Sequence, residues 1–225
     1  MFGWNEASFF VFLGCVLTYT ILLIIATKKG KFSNRLLLTR IYKDWVDARI
    51  DDLSHIVTIQ TIRNSILSNT GFITALLVFL GLIINIYDNP AGIFNRSQDF
   101  FGSITISIGI MQISLIAAIT VFSLFNFTFS VRMLQRAQLL ITSNTKKREE
   151  IFEDTYNLMQ KSFSTAQNHW MSGIRGLYYL VPSLIWLYHP IAFLITTVLI
   201  TLYLVGWHDL SFFSGQNRVY KRVKS

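Results

Sequence analysis

Residues 8–27 read SFFVFLGCVLTYTILLIIAT, without one Asp, Glu, Lys or Arg, and Lys28 and Lys29 follow at once. A helix needs about 20 apolar residues to cross roughly 30 Å of hydrocarbon, so this stretch predicts a membrane span. Three more uncharged stretches follow: Ile66 to Tyr87, Phe100 to Val131 with a span near 103–130, and Gly176 to Trp207. Barrel strands run about 10 residues with strict alternation, and these segments are too long and too uniformly apolar for that. The fold class they predict is all-α, a polytopic membrane helix bundle of about four spans, with residues 1–225 as a single integral membrane domain.

Composition agrees. Of 225 residues, 52% are hydrophobic and only 14% are charged, against about 25% in a soluble domain. These figures exclude a disordered chain, a coiled coil and a disulfide-stapled secreted domain. Cys15 is the single cysteine, so it can neither close an intramolecular disulfide nor anchor a cysteine-rich metal site.

Orientation follows from the basic residues. Eight lie between the first two spans (Lys28, Lys29, Lys31, Arg35, Arg40, Lys43, Arg49, Arg63) and seven between the last two (Arg132, Arg136, Lys146, Lys147, Arg148, Lys161, Arg175). The amino-terminal tip has none, and the loop Asp88 to Asp99 has only Arg96. The charge rule therefore predicts a cell-membrane protein with its amino terminus outside and both long loops cytoplasmic. With no basic leader and with lysines directly behind it, the first span reads as a retained anchor and not as a cleaved signal peptide.

The carboxyl end strains the scheme. Four spans put Arg218, Lys221, Arg222 and Lys224 outside, against the rule. The last stretch would also run about 48 Å as one straight helix, beyond the hydrocarbon thickness. Pro190 near its middle cannot donate to the carbonyl of Trp186. Either the last span is a long helix kinked at Pro190, or it breaks there, with a re-entrant first half and a cytoplasmic tail. Two residues are few for reversing a helix within lipid, which favours the kink.

Both cytoplasmic connections have the pattern of amphipathic helices. Leu38, Ile41, Tyr42, Trp45, Val46, Ile50, Leu53, Ile56 and Val57 recur at three-and-four spacing, as do Phe152, Tyr156, Met159, Phe163, Ala166 and Trp170. The net charge of +8 is interleaved with acid and flanks spans. Anionic headgroups are therefore the expected partner, with other membrane subunits or further copies of the chain, and nucleic acid is not.

Chemistry is sparsely marked. The four histidines show no helical metal spacing, and no phosphate loop, nucleophile elbow or His-Glu-x-x-His occurs, so neither an enzyme nor a cofactor is expected. His189 and Gln112 are the candidate intramembrane polar site. Small residues at Ser68, Gly71 and Ala75 and at Ser103, Ser107, Ser114 and Ala118 mark faces on which helices can approach.

Three segments resemble a known family. Asp44-Trp45 with Arg49-Ile50-Asp51-Asp52 is similar to its first cytoplasmic signature. Phe127-Thr128-Phe129-Ser130-Val131-Arg132 resembles its Phe-Thr-Trp-Ser-x-Arg motif, with Phe129 in place of the Trp. Gly173-Ile174-Arg175-Gly176-Leu177-Tyr178-Tyr179, followed by Trp186 and Pro190, resembles its Gly-x-Arg-x-Tyr-Tyr motif. The family is the uncharacterised membrane group catalogued as domain of unknown function 599, and the likeness runs from Asp44 to Asp209. It implies an integral membrane protein with about four spans and no established activity. It also gives weight to Asp52, Arg132 and Arg175 as a shared cytoplasmic-side cluster. Burying two guanidinium groups there without an acid is costly, so Asp51, Asp52, Arg132 and Arg175 are the candidate ion-pair cluster, with Asp51 or Asp52 facing at least one guanidinium. Two functions fit: a structural or accessory subunit of a larger membrane complex, or a small channel or carrier working as a homo-oligomer.

Overall fold

The computed structural model describes residues 4–29, 40–46, 55–88, 109–142 and 152–209, and all the secondary structure among them is helical. Helix α1 spans Trp4–Lys29, α2 covers 40–46, α3 spans His55–Asp88, α4 Ile110–Thr142, α5 Phe152–Ile185 and α6 Pro190–Tyr203. A π-helical turn, Leu204–His208, continues α6. Four segments are long and apolar enough to cross a membrane: Ala7–Ala26, Ile56–Asn85, Met111–Ile141 and Pro190–His208.

The chain forms two compact units. In unit one, α6 packs along α1. A column of rings joins them: Phe9 on Trp186 (centroids 6.1 Å apart), Trp186 on Phe193 (4.6 Å) and Phe193 on Phe12 (5.4 Å). Trp186 and Phe193 are fully enclosed.

In unit two, α3 packs along α4. The buried residues described on α4 are Gln112, Ile116, Thr120, Ser123, Phe127, Ser130, Leu134, Ala137 and Ile141, stepping by four and three. On α3 those described are Thr58, Ile62, Asn69, Leu76 and Ile83, one every seven from Ile62 onward. A seven-residue seam is the signature of helices packed at a shallow angle. The two helices run antiparallel, with Phe72 stacked on Phe127 (5.1 Å) and Ile62 grouped with Leu134 and Ile141.

Helices α3 and α4 extend past the charged residues that bound their apolar runs. Helix α3 begins eleven residues before Ile66, and α4 continues ten beyond Arg132. The extensions persist because Ile62, Leu134 and Ile141 join Val46 of α2 and Met159, Phe163 and Ala166 of α5 in one apolar cluster. Here Trp45 stacks on Phe163 (5.0 Å) and Tyr42 meets the same ring edge-on (5.8 Å). Burial pushes the Tyr42 phenol above its ordinary value near 10.0. The sign is therefore fixed: the folded state favours the neutral phenol, and its contribution to stability is lost as pH rises past about 10. An ultraviolet titration should show this tyrosine ionising later than free tyrosine, and Tyr42→Phe should remove that late phase. An unchanged alkaline titration in Tyr42→Phe would contradict the assignment.

Polar side chains of the spans are mostly spent on their own helix. Thr61 donates to the carbonyl of Val57, Ser65 to Thr61, Asn69 to Ser65, Thr70 to Ile66 and Thr74 to Thr70. On α4, Thr120, Asn126 and Thr128 do the same.

The long fourth stretch is divided just before Pro190. A proline disfavours helical backbone in the residue ahead of it, and His189 is extended (φ −154°, ψ 127°). Helix α5 closes with a tight turn in which Leu187 N–H donates to Leu184 and Tyr188 N–H to Ile185.

Candidate functional site

The block Gly173 to Tyr179 lies on α5, where that helix crosses α4 in unit two. Gly173 rests on the Phe127 ring; a Cβ there would come 2.8 to 3.0 Å from three ring carbons. One turn on, a Cβ at Gly176 would overlap Ser123 Oγ. Glycines let helix backbones approach closely, which is how helices associate where the hydrophobic effect is weak. Ser123 Oγ and Ser130 Oγ are buried with no hydrogen-bond partner, so these two α4 positions serve by being small.

Around the crossing the aromatic rings interlock. Trp170 meets Phe127 (5.3 Å) and Phe72 (5.4 Å) edge-on while those two stack on each other. Beside them His169 Nδ1 lies 3.1 Å from Asn126 Oδ1. Asn126 uses its amide nitrogen to donate to Phe122, so its oxygen is the acceptor and His169 Nδ1 carries the proton. The Phe129 ring lies 5.5 Å from the imidazole. Phe129 is exposed, so substituting Phe for Trp at this motif position changes an outward-facing ring and not the packed core.

Unit one holds a second polar cluster. Tyr19 of α1 donates its hydroxyl to Asp209 Oδ2, and Asp209 is only 2% exposed. His208 Nδ1 lies 3.4 Å from Asp209 Oδ1. The π-helical turn sets this geometry, since Asp209 N–H bonds back to Leu204 and the widened turn carries His208 and Asp209 together.

The residues singled out by sequence are distributed as follows. Gln112 is buried, and its Oε1 accepts from Gly109 N–H (2.9 Å), capping the start of α4. His189 is exposed, and its Nδ1 accepts from Ile191 N–H (3.2 Å), capping α6. Both candidate intramembrane polar groups thus serve a helix start. Arg132 is exposed and Arg175 partly buried, while Asp51 and Asp52 lie outside the described residues, as does the acidic half of that expected cluster. Ser68, Gly71, Ala75, Ser114 and Ala118 are all exposed, and nothing lies within 4 Å of where a Gly71 Cβ would be. Ser103 and Ser107 lie outside the described residues.

The sequence reading missed the Asn126–His169 and Tyr19–Asp209 pairs. Their members stand 43 and 190 residues apart, and no local pattern links them.

One family model matches the chain, that of the protein of unknown function DUF599, over residues 7–212. No curated protein and no solved structure matches it.

Proposed function

The chain belongs to the DUF599 family of proteins of unknown function, and from that premise we propose that it is an integral membrane subunit that holds its place in a larger assembly by helix packing. The supporting observation is the outward face of α3, where Ser68, Gly71 and Ala75 form a shallow exposed stripe with open space over Gly71. In lipid such a stripe matches a neighbouring helix, because small side chains admit a second backbone. The occupant in this reading is a helix of another membrane subunit or of a second copy. The positive connections face anionic headgroups on the cytoplasmic side, and the amino terminus lies outside. The subunit performs no catalysis of its own and binds no nucleic acid.

A channel or carrier gains less support. Gln112 and His189 are engaged as caps, and several span hydroxyls, Thr61 and Thr70 among them, bond within their own helix.

Purification from native membranes in mild detergent should yield a complex larger than the monomer. Gly71→Ile should dissociate it while leaving the thermal unfolding of the subunit within about 0.5 kcal/mol of the parent, as for a surface position. A monodisperse monomer with no partner in native membranes would defeat the reading, and so would a complex indifferent to Gly71→Ile and to Ala75→Ile.

A further inference from the structure

We propose that α5 is a fifth membrane crossing, so that the chain turns at Trp186–His189 on the face where α1 begins, returns through α6, and ends on the face where α1 ends. The inference rests on the membrane reading above but not on which face is cytoplasmic.

Unit one supplies the first argument. Ser8 Oγ donates to the carbonyl of Pro190 (3.3 Å), so the starts of the two spans Ala7–Ala26 and Pro190–His208 meet. Further along, Phe12 stacks on Phe193, and beyond that Tyr19 bonds Asp209. Contacts that advance in the same order on both helices make α1 and α6 parallel, so the two cross in the same direction. Between them α3 and α4 cross once each, as an antiparallel pair. After α1, α3 and α4 the chain stands on the face where α1 ends, yet Pro190 stands where α1 begins. One more crossing is required between Thr142 and Pro190, and α5 is the helix that occupies that interval.

Unit two supplies an independent argument. Helix α5 runs antiparallel to α4: Met159 and Phe163 share a cluster with Leu134 and Ile141, His169 meets Asn126, and Gly176 meets Ser123. Ser123 is already in the first half of α4 (Ile110–Thr142), so at Gly176 the chain has passed the middle of a span. Nine more helical residues lead to Ile185, a further rise of about 13 Å.

Composition hides this crossing. Asn168, His169, Ser172 and Arg175 make α5 too polar to stand among the four apolar segments. The helix is tolerable at that depth because one side is covered: Ala166, Gly173, Gly176, Tyr179 and Leu180 are buried, and His169 is bonded to Asn126. Arg175 then lies level with the first half of α4 and not at the interface, which makes it an intramembrane cation of the kind that marks functional positions. The same topology moves Arg218, Lys221, Arg222 and Lys224 to the face of Lys28 and Lys29, leaving Arg96 as the one basic residue on the other face.

Single cysteines in a full-length Cys15→Ser background, probed in intact cells with an impermeant maleimide, test the crossing. Tyr188→Cys should label from the face opposite to Asn144→Cys, and Gln216→Cys should label from the face of Asn144→Cys. Labelling of Tyr188→Cys and Asn144→Cys from one face overturns the proposal. If all three labels appear on exchanged faces, the crossing stands and the assumed orientation falls. Should Tyr188→Cys not accumulate, a protease site appended after Ser225 decides the parity: cleavage on the Asn144 face supports five crossings and cleavage on the other face overturns them.

Discussion

Gly173→Ala should destabilise the protein by about 3 kcal/mol, the upper end for overpacking a core, despite adding a single methyl. Alanine favours an ordinary helix over glycine by about 1 kcal/mol, so the steric cost must exceed that gain before any loss is seen. It does so here because the obstacle cannot move. The new Cβ would lie 2.8 Å from Phe127 Cζ and 2.9 Å from Cε1. Phe127 is fully buried, with Phe72 stacked against one side and Trp170 against its edge. Relief requires a smaller ring-position side chain, so Phe127→Leu should recover part of the loss when combined with Gly173→Ala, although alone it opens a cavity. Equilibrium unfolding in detergent would measure all three variants. A Gly173→Ala protein within about 0.5 kcal/mol of the parent, a shift typical of unconstrained surface sites, would show that α4 and α5 do not approach this closely.

Tyr19→Phe should cost about 2 kcal/mol, the range for a hydrogen bond to a charged group. Asp209 is enclosed, and removing the phenol hydroxyl leaves its Oδ2 with less compensation for the water it gave up. Asp209→Asn retains an acceptor and sheds the charge, so it should be milder than Tyr19→Phe. The two changes should also be non-additive, because both act on one bond. Additive losses in the double variant would mean that the phenol and the carboxylate act separately.

These expectations show where the sequence was readable. Spans were legible because lipid imposes a one-dimensional rule: the run from Ser8 to Thr27 has no charge, and Lys28 ends it. The stripe Met159, Phe163 and Ala166 was legible from its spacing, and all three are buried. The start of α3 was placed late because Arg63 interrupts the apolar run, whereas the helix continues through it with Arg63 exposed and Ile62 buried. Composition reports the solvent around a helix and not where the helix ends. The seven-residue seam Ile62, Asn69, Leu76, Ile83 was invisible for a related reason: in a uniformly apolar helix the packed face and the lipid face have the same chemistry. His189 drew attention as an ionisable group in an apolar stretch, while its role as a cap follows from the extended backbone that Pro190 imposes. Asp209 drew none, since only the folded chain brings Tyr19 to it.

The hydroxyl ladder of α3 bears on how the protein is made. Thr61, Ser65, Thr70 and Thr74 each close a bond onto the preceding turn, so these groups are satisfied as soon as the helix forms. Such a segment can leave the ribosome and partition into lipid alone, with no neighbour waiting. Helix α5 is different, because His169 finds its acceptor on α4. The α3 ladder is thus complete before any packing, whereas His169 of α5 is completed only once α4 stands beside it.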